Sequence, residues 1–118
     1  MRAAALAGGW LYVAAIVWLS LSPSSPDLGL EVSDKLKHFV AYAALTFWFS
    51  ILYRGKARLA YAAGWIALGI ALEFAQGATS YRSYELADMA ANALGVLAGA
   101  AAALAVTRAA PAPGKETP

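Results

Sequence analysis

Asp88 and Asn92 stand four residues apart in a stretch that is otherwise small and apolar: Tyr84-Glu85-Leu-Ala-Asp88-Met-Ala-Ala-Asn92-Ala-Leu-Gly95-Val-Leu-Ala-Gly99, with the apolar run continuing to Val106. On a helix, steps of three and four place side chains on one face, and Gly95 and Gly99 extend that face by a step of three and a step of four. A helix that carries a carboxylate and an amide into an apolar run of membrane-crossing length narrows the fold more than any other feature of the chain. Such groups are costly in hydrocarbon and by default mark a functional site facing a bundle interior. Small residues on the same stripe let a second backbone come close.

The rest of the chain agrees with a membrane reading. Apolar residues make up 61% of the 118 residues and charged residues 14%, against roughly 45–50% and 25% in ordinary soluble domains. So small a soluble domain has no core large enough to hide that excess. There is no cysteine and a single histidine, His38, which excludes disulfides, thiolate chemistry and multi-histidine metal sites. The length indicates one domain, residues 1–107, followed by an Ala/Pro-rich tail over 108–118 that reads as disordered.

Four runs approach the roughly 20 residues needed to cross a bilayer. The first, about 3–21, holds Trp10, Tyr12 and Trp18 and reads as a retained span rather than a signal peptide, because it is long and Pro23 follows it closely. Ser22 to Asp27 is turn chemistry, and Ser33 can cap the next helix. The second run, 34–53, begins with Asp34-Lys35-Leu-Lys37-His38; Asp34, His38 and Tyr42 share one face and reach about 12 Å inward. Lys35 lies beside that face, and Lys37 points elsewhere and can snorkel. Arg54 to Arg58 forms a basic turn. The third run, 59–76, is free of charge until Glu73, one turn before Gln76. A short connection with Arg82 leads to the fourth run, 85–106. The expected fold class is therefore all-α: a polytopic, four-transmembrane-helix bundle.

With four alternating spans, Arg2, Arg54, Lys56, Arg58, Arg108 and Lys115 fall on one side with the single acid Glu116. The positive-inside rule puts both termini and the Arg54–Arg58 turn in the cytoplasm. Lys35, Lys37, Arg82 and the remaining six acids fall on the other side. Asp34, His38, Tyr42, Glu73, Gln76, Arg82, Asp88 and Asn92 then lie at similar depths, and short loops make helices two, three and four neighbours. One outward-facing polar cavity between those three helices is the expectation.

These residues carry a resemblance. Asp34-Lys35-x-x-His38-Phe39-x-x-Tyr42, then Glu73-x-x-Gln76, Arg82 and Asp88-x-x-x-Asn92-x-x-Gly95, in that order, resemble the VanZ-like family of small bacterial membrane proteins, from Ser20-Leu-Ser-Pro23 to Gly99. The resemblance implies a multi-pass protein of the bacterial inner membrane, linked to glycopeptide (teicoplanin) resistance or to the cell envelope.

Each residue carries two readings. Asp88 with Asn92, His38 with Asp34, and Glu73 are acid–base candidates for catalysis, or else partners that hold helices together. Lys35, Tyr42, Gln76, Arg82 and Asn92 are ligand-contacting candidates, with arginine and lysine suited to an anionic headgroup; the plain reading of the cations is interface anchoring. Gly95 and Gly99 read as close helix packing, or as the face of a homo-oligomer. The tryptophans read as span aromatics. The first functional hypothesis is binding or modification of an anionic lipid or envelope precursor, with oxygen ligands for a divalent cation as a variant. The second is a non-enzymatic scaffold or partner-binding module whose polar residues hold the bundle together; a weaker third is a proton-coupled transporter. No nucleophile motif is visible and no cofactor is named. The basic residues are too few for a nucleic-acid footprint.

Overall fold

The computed structural model describes residues 2–22, 34–78 and 86–109. Among them are four α-helices and no strand: α1 (Arg2–Leu21), α2 (Asp34–Leu52), α3 (Lys56–Gly77) and α4 (Leu86–Ala109). Three of them, α1, α3 and α4, are long and apolar enough to cross a membrane. α2 stands apart because its first turn carries Asp34, Lys35 and Lys37.

Helix ends differ from expectation at two places. α3 begins at Lys56 rather than Leu59, so Lys56 and Arg58 belong to the helix and the turn shrinks to Tyr53, Arg54 and Gly55. Gly55 takes φ 65°, a left-handed conformation that a side chain disfavours by about 1–2 kcal/mol. The first turn of α3 is then held by Arg58, whose guanidinium donates to the Ser50 and Tyr53 carbonyls at the end of α2 and to Thr107 Oγ1 of α4. α4 in turn continues through Arg108 to Ala109, two residues into the stretch expected to be a disordered tail. Thr107 Oγ1 donates to the Ala103 carbonyl at 2.8 Å, and alanine and a terminal arginine favour a helix C-terminus. Ser33, Arg82, Glu85 and residues 110–118 lie outside the described residues.

Contacts fix the directions. Tyr12 Oη donates to the Ala41 carbonyl at 3.1 Å and Trp48 Nε1 to the Ala5 carbonyl at 2.9 Å, so α1 and α2 are antiparallel. α2 and α4 run parallel and form the tightest pair. A Cβ placed on Gly95 would fall on the Phe39 carbonyl, and one on Gly99 on the Ala43 carbonyl. The small stripe of α4 is therefore filled by α2 of the same chain. Of the two readings of Gly95 and Gly99, close helix packing is the one these contacts display. α3 packs on both α2 and α4. α1 packs on α2 and α3 and, among the described residues, does not reach α4.

The core at the basic end is aromatic. Phe49 stacks on Tyr61 with ring centroids 5.1 Å apart and lies 5.0 Å from Trp65, while Trp10 meets Phe49 edge-on at 5.3 Å. Arg2 sits over the Tyr53 ring at 4.8 Å, a cation–π contact. Outward faces carry large apolar side chains, Leu11, Trp18, Leu59, Phe74 and Leu97 among them. An apolar exterior of this extent marks a membrane or partner surface rather than a water-facing one.

Gly95→Ala and Gly99→Ala are expected to push α4 off α2 and cost about 1–3 kcal/mol each, the usual penalty for overpacking. Gly64→Ala, where an added Cβ meets nothing within 4 Å, is expected to be neutral or stabilising by up to ~1 kcal/mol. Thermal unfolding in detergent followed by circular dichroism measures all three.

Candidate functional site

The close approach at Gly95 brings the first turns of α2 and α4 together, and with them the polar residues that both helices carry there. His38 Nδ1 donates to Asn92 Oδ1 at 2.9 Å. Because that oxygen only accepts, the proton on Nδ1 is assigned and Nε2 is left as the other face of the ring. His38 Nε2 lies 3.7 Å from Asp88 Oδ2, beyond hydrogen-bond length. On the other carboxylate oxygen, Lys35 Nζ stands 3.1 Å from Asp88 Oδ1; this is a charge contact rather than an aligned hydrogen bond. Lys35, Asp88, His38 and Asn92 thus form a continuous chain across the α2–α4 junction. Lys35 at its outer end is 44% exposed, so its attraction to Asp88 is screened and modest.

α3 supplies the third side. Gly69 lets it come so near that a Cβ there would lie 3.0 Å from the Asn92 Cβ and 3.3 Å from the Tyr42 ring. One turn further, Glu73 is buried at 1% exposure within electrostatic reach of the Tyr42 phenol. Gln76 is buried as well, and its Nε2 donates to the Ser20 carbonyl of α1 at 2.9 Å, which ties the ends of α1 and α3.

Of the sequence-expected site residues, His38, Lys35, Asp88 and Asn92 meet in one network. Tyr42, Glu73 and Gln76 lie beside it. The Asp34 side chain and Arg82 fall outside what is described. Asp34 is the carboxylate expected to orient His38; the residues seen to hold the imidazole are Asn92 and Asp88 of α4.

A cleft of ≈ 140 Å³ opens between α1, α2 and α3. Its polar lining is Ser20, Lys37, His38, Tyr42 and Gln76, and its apolar lining includes Ile16 and Ala41. Lys37, expected to point away, is at its wall. Both nitrogens of His38 face α4, so the cleft meets the rest of the ring. Ser20 and Lys37 are the lining residues that sequence reasoning passed over. Antiparallel neighbours consecutive in the chain put the end of one helix beside the start of the next, and that is the signal for Ser20 and Lys37. Among the described residues, no three histidine, aspartate or glutamate side chains gather as a metal-binding set.

No protein-family model matches the chain, and neither a curated protein nor a solved structure matches it.

A double-mutant cycle of His38→Ala and Asn92→Ala is expected to give a coupling of about 0.5–2 kcal/mol, the range for interhelical hydrogen bonds in membranes, read from unfolding in mixed micelles. A coupling near zero would mean that the imidazole is held by something else.

Proposed function

We propose that the chain is a VanZ-like, four-span protein of the bacterial inner membrane, with both termini cytoplasmic and the Lys35–Asp88–His38–Asn92 network near the outer surface. In this reading α2 crosses with the other three helices. Its 19 residues span about 28 Å at 1.5 Å each, and its charged first turn lies at the interface. Its function is to bind the anionic headgroup of a lipid or a lipid-linked envelope precursor in the cleft beside His38. The link to glycopeptide resistance, which the resemblance implies, would act through such a precursor.

The observation that carries this reading is the placement of Lys37 and His38 on the wall of a cleft at the polar end, with Ser20 and Gln76 opposite. A cationic group at the wall and hydrogen-bonding groups within suit phosphate or carboxylate oxygens. No reaction is assigned. Acid–base work by His38, Glu73 or Asp88 requires a group able to exchange a proton with substrate, and both ring nitrogens of His38 are turned to α4. That same orientation favours a second reading, in which the network is a structural lock of a scaffold protein.

Native mass spectrometry of the full chain in detergent separates the two. Phosphatidic acid is expected to be retained over phosphatidylcholine, and Lys37→Gln to lower its retention about fivefold, equivalent to ~1 kcal/mol for one cation at an anionic surface. His38→Gln and Asp88→Asn that lower the melting temperature while leaving lipid retention unchanged would favour the lock. Reporter fusions at each terminus test the orientation; a periplasmic signal from either would reverse it.

A further inference from the structure

The basic end of the helices gathers its cations around one turn. Tyr53, Arg54 and Gly55 join α2 to α3. Arg2 of α1 lies over the Tyr53 ring, 4.8 Å from its centroid. Arg58 of α3 donates through Nε to the Ser50 carbonyl at 3.0 Å and to the Tyr53 carbonyl at 3.1 Å, and Arg54 stands within its electrostatic reach. Three guanidiniums therefore meet at a turn of three residues. The hydrogen bonds of Arg58 all go to neutral oxygens, which leave its charge in place. Arg54 Nε is buried and makes no hydrogen bond, although the residue as a whole is only half-buried. A buried charged donor without an acceptor is costly, so this N–H is an unmet demand. The described acids do not answer it: Asp34, Glu73 and Asp88 all belong to the opposite ends of their helices. Gly55, next to Arg54, has open space where a side chain would stand, so a bulky group can approach the turn.

We propose that the α2–α3 turn binds one phosphate group, held by the guanidiniums of Arg2, Arg54 and Arg58. The inference does not rest on the headgroup reading above; it concerns the opposite ends of the helices and needs no orientation in the membrane. Arg58, fixed on carbonyls, supplies charge. Arg54, whose guanidinium makes no hydrogen bond among the described residues, supplies the fork, and turning it to an anion gives Nε the acceptor it lacks. Phosphate fits better than a carboxylate because its oxygens point in several directions and serve more than one guanidinium at once. Two sources present that chemistry at a membrane surface: the headgroup of an anionic lipid and a free phosphate-bearing solute.

The test uses the full chain in detergent and two probes. Native mass spectrometry reads retention of phosphatidic acid against phosphatidylcholine; thermal unfolding reads inorganic phosphate against chloride at equal ionic strength. Arg54→Gln is expected to lower the response about tenfold, the order for losing a hydrogen bond to a charged group. Arg54→Lys keeps the charge without the fork and should fall between Arg54→Gln and the parent. Arg2→Gln, on the exposed first turn of α1, reads the same site from a second helix and should lower the response too. Arg108→Gln removes the same charge from the same end, on the exposed last turn of α4, and should stay within about twofold of the parent. Repeating the series on Lys37→Gln disables the cleft beside His38, and the Arg54 effect should persist there; loss of the Lys37 effect alone counts against the headgroup reading and not against this site. A response to phosphatidic acid without one to inorganic phosphate identifies a lipid headgroup, and a rise in melting temperature with inorganic phosphate that Arg54→Gln abolishes identifies a soluble ligand; both uphold the site. Equal losses from Arg54→Gln and Arg108→Gln would show diffuse attraction and overturn it, as would the lack of any Arg54-dependent response to either probe. A response that emerges only once Glu116→Gln is made would show that the chain's own acid occupies the arginines, and would overturn it as well.

Discussion

Backbone meets backbone where α2 crosses α4. Gly95 and Gly99 leave room for the Phe39 and Ala43 carbonyls and for nothing else, and this contact sets the register of the two helices. With that register, Lys35 faces Asp88 and His38 faces Asn92. A slip of one residue would turn these groups by about 100° relative to each other and leave a carboxylate and an imidazole buried without partners, a cost well above that of a lost contact. The other helices follow. Gly69 brings α3 against Asn92 and Tyr42, and Gly9 brings α1 against Phe49 and Trp48. A glycine thus stands at a close approach of α1 to α2, of α2 to α4, and of α3 to both α2 and α4.

The two ends of the helices are held by different chemistry. At one end is a network of side chains, Lys35, Asp88, His38 and Asn92, with Gln76 reaching across to Ser20. At the other, Arg58 gathers the final carbonyls of α2 and the Thr107 hydroxyl of α4. A guanidinium has donors enough to serve several carbonyls left over where a helix ends. Between the ends aromatic and aliphatic contacts predominate, with Phe49 and Leu45 fully enclosed, joined by the Tyr12–Ala41 and Trp48–Ala5 hydrogen bonds. Side chains at both ends thus fix the helices against sliding, while the middle supplies packing.

Much of this was legible from residue spacing. The steps of four, three and four from Asp88 through Asn92 and Gly95 to Gly99 mark the face of α4 that turns inward, and the four helices fall within a few residues of where the apolar runs put them. The convergence of His38, Asp88 and Asn92 could be read because each sits near the same end of its helix. Three features could not. Which helices border the cleft depends on which pairs pack closely, and a glycine stripe announces a close approach without naming its partner. Arg58 looked like one more cytoplasmic cation, since nothing in a basic turn tells which arginine will fold back on carbonyls. The angle of Lys37 from the Asp34–His38–Tyr42 face says that it leaves that face, but not that α1 lies on the side it turns to.

The parallel pairing of α2 with α4 has a bearing on biogenesis. In the four-span reading, α2 leaves the ribosome second and its partner leaves last. During that interval its inward face, with His38, Thr46 and Ser50, has no α4 to cover it, and its charged first turn makes it the helix least suited to lipid by itself. On that order of synthesis, α2 would need shelter, from the translocation machinery or from α1 and α3, until α4 arrives. In that reading the 24-residue α4 would serve α2 as an internal chaperone, and its arrival would commit the second helix to the bilayer.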